Sequence, residues 1–188
     1  RELGFNNVEL YLETEHLDNF EKSLKNCRKS EINIVSVHTP HVGIKKEEYF
    51  RKTDKLAQGL DAKLVFLSKK ILHTSIPEIE DINLDSEPAF ENQPGSSIRH
   101  LKNMVLDRDR RLTLDTAHLF MATEKYVEKT DELLKEYGQQ IEVIHICDST
   151  WIEDGIGFGE GEMDMEKLCQ IVKNSDYEGI VVLEVMPE

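Results

Sequence analysis

Seven short apolar runs are spaced along the chain: "NVELYL" (7–12), "INIVSVH" (32–38), "AKLVFLS" (62–68), "PAFEN" (88–92), "RLTLD" (111–115), "IEVIHICD" (141–148) and "GIVVLEV" (179–185). Several are nearly continuous in Val, Ile and Leu, the pattern of parallel strands covered on both faces. Between many of them the period changes to that of an amphipathic helix. Residues 17–30 carry Phe20, Leu24 and Cys27 on one stripe. Residues 45–61, 124–138 and 163–179 also read as helices, and Gly138 is placed to cap the second of these. The segments 69–87 and 93–110 are shorter and weaker. Strand–helix alternation at this spacing predicts an α/β fold with a parallel sheet, either doubly wound or a (β/α)8 barrel. No GxGxxG follows an early strand and no P-loop occurs, so the strongest nucleotide signatures are missing.

A length of 188 residues suits a single domain over 1–188. Apolar residues at 39% and charged residues at 32% describe a soluble chain able to build a core. No run approaches the ~18 apolar residues of a membrane helix. The formal charge of −14 argues against a broad basic face for nucleic acid or anionic lipid, while leaving room for a local phosphate pocket. Cys27, Cys147 and Cys169 are odd in number and form no CxxC, as in a reduced, cytoplasmic protein. The opening "RELGFNNVEL" reads as a helix tail, a cap at Gly4 and a strand, and the last residues follow a strand directly; both ends read as cut from something longer.

The stretch "LTLDTAHLFMA" (112–122) poses the chemical question. A buried-looking strand ends in Asp115, and His118 follows three residues later. Asp115 reads as a helix N-cap, or as part of a site at the mouth of a parallel sheet. The last four strands end in Glu91, Asp115, His145 and Glu184. In a parallel barrel, active-site groups come from the C-terminal ends of several strands. Three carboxylates and one imidazole suit a single Mn, Mg, Co or Zn ion with positions open to a substrate. Without a cation, such carboxylates repel, and one or more stays protonated.

In chain order, "VHTPH" (37–41), "FENQPG" (90–95), "LDTAHLFMA" (114–122), "HICDS" (145–149), "GFGEGEMD" (157–164) and "VVLEV" (181–185) resemble the motifs of the xylose-isomerase-like TIM barrel superfamily. That group includes sugar isomerases and epimerases, hydroxypyruvate isomerase and endonuclease IV. The resemblance implies a TIM-like (β/α) barrel lacking its first strand and last helix in this chain. It matches Glu91, Asp115, His145 and Glu184 to the single-metal site of the epimerase and isomerase branch. It matches His118 to an imidazole on a substrate oxygen, and His38 to the histidine after the third barrel strand. Trp151 is then a lid or a wall of the pocket. Endonuclease IV uses three zinc ions and more ligands; here "VFLSKK" lacks the fourth-strand histidine, and Glu153 and Gly155 stand where an Asp and a His are needed. His73 lies several residues too late to replace that histidine. The loop "GFGEGEMD" reads as a turn with an N-cap at Asp164, or as a glycine backbone open to a phosphate.

The expected function is a divalent-metal-dependent isomerase or epimerase of a small sugar, sugar phosphate or hydroxy-carbonyl compound. In it Glu91 and Glu184 are the proton-transfer pair, and His118, His38 and Trp151 bind substrate. The alternatives are an endonuclease IV-like phosphodiesterase and a catalytically inactive ligand-binding barrel. The expected partner is a carbohydrate-like small molecule rather than a membrane or nucleic acid; homo-oligomerisation is left open.

Overall fold

The computed structural model describes residues 4–67 and 81–186. The expectations placed on 68–80, including His73, lie outside those residues. Two compact units divide the chain at Ala89/Phe90.

The first unit runs β1 (Asn7–Tyr11), α1 (Thr14–Asp18), α2 (Phe20–Lys29), β2 (Asn33–His38), α3 (Glu47–Leu60) and β3 (Lys63–Phe66). Its strands are parallel neighbours, with Tyr11 opposite His38 and His38 opposite Val65. Leu12, Leu17, Ile34, Val37, Leu56, Ala57 and Leu64 form the core, and Phe20, Leu24 and Cys27 pack against it as the helical stripe requires. The helix expected over 17–30 is two helices. α1 starts early because Glu13 and His16 form a capping box, and the chain breaks at Asn19 before α2 begins. Phe50 of α3 stacks on Phe66 of β3 at 4.8 Å. Buried Asp54 fastens the later loop to α3, accepting from the backbone N–H of Asp85 (2.7 Å) and of Ser86 (3.2 Å).

The second unit opens with β4 (Ala89–Glu91), whose first residue belongs to the junction. It continues with α4 (Ile98–Met104), a 3-10 turn (Leu106–Arg108), β5 (Arg111–Asp115), α5 (Thr116–Phe120) and α6 (Tyr126–Tyr137). β6 (Ile141–Ile146), α7 (Met165–Asn174) and β7 (Ile180–Leu183) complete it. β5, β6 and β7 are parallel, with Asp115 opposite His145 and Ile146 opposite Leu183. Asp164 caps α7, accepting from the N–H of Lys167 at 3.0 Å. Gly138 does end α6, but in the right-handed region at φ −52°; a Cβ there would run into the Leu134 carbonyl, so close approach requires the glycine. β7 departs from the doubly covered pattern. Val181 and Leu183 are 44% and 49% exposed, so the strand alternates like one with a face toward water. No helix among the described residues is long and apolar enough to cross a membrane, and the three cysteines are free thiols.

Candidate metal centre

Asp115 answers both readings of its strand end. Its Oδ1 accepts the N–H of His118 at 2.7 Å and so caps α5. Its Oδ2 faces two imidazoles, 3.6 Å from His118 Nδ1 and 3.9 Å from His145 Nδ1. The β5–β6 register sets Asp115 beside His145, and the Thr116 hydroxyl donates to the His145 carbonyl at 3.0 Å.

Glu91 is brought in by its neighbour. The Asn92 side chain clasps the backbone of Asp115 from both sides: its Oδ1 accepts the Asp115 N–H at 2.8 Å and its amide donates to the Asp115 carbonyl at 2.9 Å. This adds a side-chain rung where β4 ends. The Glu91 carboxylate then lies 3.3 Å from His118 Nδ1. Past β7, the N–H of Glu184 donates to the Ile146 carbonyl at 3.0 Å, and its carboxylate lies 2.9 Å from His145 Nδ1. Glu91, Asp115 and His145 are buried, and each offers a ligand atom within 4.8 Å of the others. All four residues read from the strand ends therefore come together within this unit.

The electrostatics fit a cation. Burial foremost, with the charges of Glu184 and Glu91 against the pull of His118 and His145, pushes the Asp115 carboxyl up to about 7. Crowded buried carboxylates are relieved when a divalent ion binds among them. Burial alone would lower the His118 imidazole, but Asp115, Asp154 and Glu91 outweigh it and raise it to about 12. Its ring is held at both nitrogens. Nδ1–H donates to the Asn92 carbonyl at 2.7 Å, and Nε2 lies 3.0 Å from the carboxylate of Asp154. The hydrogen bond from His118 holds the Asp154 carboxyl below the usual carboxylate range.

Trp151 is 46% exposed, and its ring packs on Phe120 of α5 at 4.7 Å. His38 belongs to the first unit, where it is buried at the end of β2. Its Nδ1 bonds the Thr39 carbonyl at 2.6 Å, and its ring packs with those of Tyr11 and His41. Glu153 is exposed, and Gly155, at φ +72°, has no side chain to offer as a ligand.

Asn92, Asp154 and Asp148 are the residues that strand-end reasoning missed. Asn92 directly follows Glu91, and Asp154 sits between Glu153 and Gly155. Asp148 is fully buried and accepts four backbone N–H groups from the loop that follows it. Three glycines within five residues, 157 to 161, were a signal: closely packed backbone donors need an acceptor.

The family model for the xylose isomerase-like TIM barrel matches residues 2–188. Among solved structures, the apo form of 3-keto-D-glucoside 4-epimerase from E. coli superposes with a TM-score of 0.69 at 12% identity, over 100% of this chain and 84% of that one. At that identity the likeness is one of fold. No curated protein matches the sequence. Parallel strands alternating with helices, and a match along almost the whole length, lead to one assignment: the chain belongs to the xylose isomerase-like TIM barrel family.

Proposed function

We propose that this chain is a divalent-metal-dependent isomerase or epimerase of a small sugar, sugar phosphate or hydroxy-carbonyl compound. The observation that carries the reading is the buried convergence of Glu91, Asp115 and His145, with ligand atoms within 4.8 Å of one another and Glu184 against His145. Those four residues would hold the ion, and their oxygen-rich, one-nitrogen set suits Mn, Mg, Co or Zn. When bound, such an ion polarises a substrate carbonyl and stabilises charge developing on its oxygen. The keto-glucoside epimerase among the solved structures of this fold is in keeping with that chemistry.

The chain's own groups do the rest. Isomerisation or epimerisation beside a carbonyl needs one proton taken from carbon and another delivered. Glu91 ends β4 and Glu184 follows β7, so two carboxylates flank the site with Asp115 and His145 on the strands between them. One removes the proton and the other returns it. His118, with Nδ1–H anchored on the Asn92 carbonyl and Nε2–H on Asp154, holds that carboxylate where it can accept from a substrate hydroxyl. Trp151 gives the site a flat apolar border.

Metal analysis of the purified protein should find about one divalent ion per chain. Asp115→Asn keeps a capping side chain, and with His145→Ala it should weaken metal binding by at least the ~10–100-fold typical of losing a supporting partner. Glu91→Gln and Glu184→Gln should each slow solvent-deuterium incorporation at the substrate carbon by ~10²–10⁴-fold. Unchanged metal content in both ligand variants, or several zinc ions together with chelator-sensitive incision of abasic DNA, would overturn the reading.

A further inference from the structure

A phosphate on the substrate would be expected to seek the glycine loop of the second unit, because successive backbone N–H groups form anion-binding hollows. That hollow is already filled. The N–H groups of Gly159 (2.9 Å) and Gly161 (3.1 Å) donate to Asp148 Oδ2, and those of Ser149 (2.8 Å) and Met163 (3.1 Å) donate to Oδ1. A Cβ at Gly161 would collide with this carboxylate, so the glycine there serves an internal bond. Four of the loop's N–H groups are thus spent on its own chain.

Cationic side chains are missing from the same places. The segments that carry Glu91, Asp115, His145 and Glu184, namely 88–98, 112–123, 141–166 and 174–188, contain neither Lys nor Arg. Phosphate and carboxylate recognition ordinarily relies on those residues. The polar group beside His118 Nε2 is instead another carboxylate, Asp154, whose side chain is 39% exposed. A carboxylate accepts hydrogen bonds from hydroxyls and repels anions. The exposed Trp151 ring, backed by the buried Phe120 ring, offers a flat apolar surface of the kind that packs on the C–H face of a sugar ring.

From these observations, and resting on the sugar isomerase or epimerase reading above, we infer that the substrate is an uncharged sugar. The site turns away phosphorylated and carboxylated sugars, and Asp154 enforces that choice. Asp154 thereby acts as a specificity determinant and as a positioning residue for the His118 ring.

The test compares D-fructose and D-tagatose with their 1- and 6-phosphates on the Mg²⁺-loaded protein. Affinity is read by calorimetric titration, and turnover by deuterium incorporation from solvent. The free sugars should bind at least ~10-fold more tightly than the phosphates, the scale of a like charge a few ångströms away in a partly exposed site. Asp154→Asn should narrow that ratio by several-fold. Raising the salt concentration should narrow it in the unmodified protein, which keeps the test independent of how the variant folds. Phosphates that bind as well as or better than the free sugars, while deuterium exchange proceeds, would overturn this inference and leave the isomerase reading standing. A ratio unmoved by both Asp154→Asn and salt would also overturn it. Absence of binding and exchange with every probe would overturn both.

Discussion

Asp148→Asn replaces one carboxylate oxygen with an amide that can only donate. Asp148 receives four backbone N–H bonds, two on each oxygen. In the variant two of those N–H groups face another donor, whichever way the amide turns. Each bond to a charged acceptor contributes ~1.5–3 kcal/mol, so losing two should cost about 3–6 kcal/mol. For a domain of this size that corresponds to a fall in Tm of roughly 6–24 °C. Calorimetry of the metal-free protein at pH 7 measures it, and hydrogen exchange at Gly159 and Gly161 should accelerate in step. The effect also has a pH signature. Burial pushes the Asp148 carboxyl up, but the N–H groups of Met163, Ser149, Gly161 and Gly159 outweigh it and hold the group below the usual carboxylate range. The unfolded chain therefore takes up the proton first, near pH ~3.9. The stabilisation is fully present above that value and is lost as pH falls through the lower folded value. The gap between the two melting curves should be constant near neutrality and shrink below about pH 4. A variant melting within ~2 °C of the parent at pH 7 would refute the account of the loop, as would a gap that stays constant into acid.

Asp54→Ala should destabilise the first unit by roughly 2–4 kcal/mol, because the N–H groups of Asp85 and Ser86 lose a buried acceptor; chemical denaturation with exchange at those two amides measures it. Phe50→Ala removes a fully buried ring stacked on Phe66 and should cost ~3–5 kcal/mol in the same assay. Cys147 should resist iodoacetamide at pH 8 roughly a thousandfold relative to an ordinary thiol, since burial first, then the charge of Asp115, pushes it up to about 12. Peptide mass spectrometry should find it modified only after unfolding, and rapid labelling of the folded protein would contradict that.

Local pattern carried much of this architecture. Strand runs are short and apolar, so an acid or histidine at the C-terminal ends of the last four stands out, and the parallel register then brings Asp115 beside His145. The helix stripe of Phe20, Leu24 and Cys27 was readable for the same reason. Other features left no period to read. The early start set by the Glu13–His16 capping box and the break at Asn19 interrupt an otherwise continuous helical pattern. Asn92 acts on Asp115 across 23 residues, and Asp154 reaches His118 across 36. Such bonds depend on where the fold returns the chain, which composition and spacing do not encode. Asp148 falls within the "HICDS" motif, yet its role emerges only when the glycine loop closes around it.

The double duty of Asp115 has an evolutionary consequence. One oxygen closes the first turn of α5 while the other faces the imidazoles. A lineage that abandoned the chemistry would still be selected to keep Asp or a near substitute there, because the cap serves folding. Survival of this aspartate in a distant descendant is therefore a poor witness of activity. Glu184, which lies past the end of β7 and caps no helix among the described residues, would be free to drift first. Its retention or loss is the more telling sign of whether such a barrel still turns over substrate.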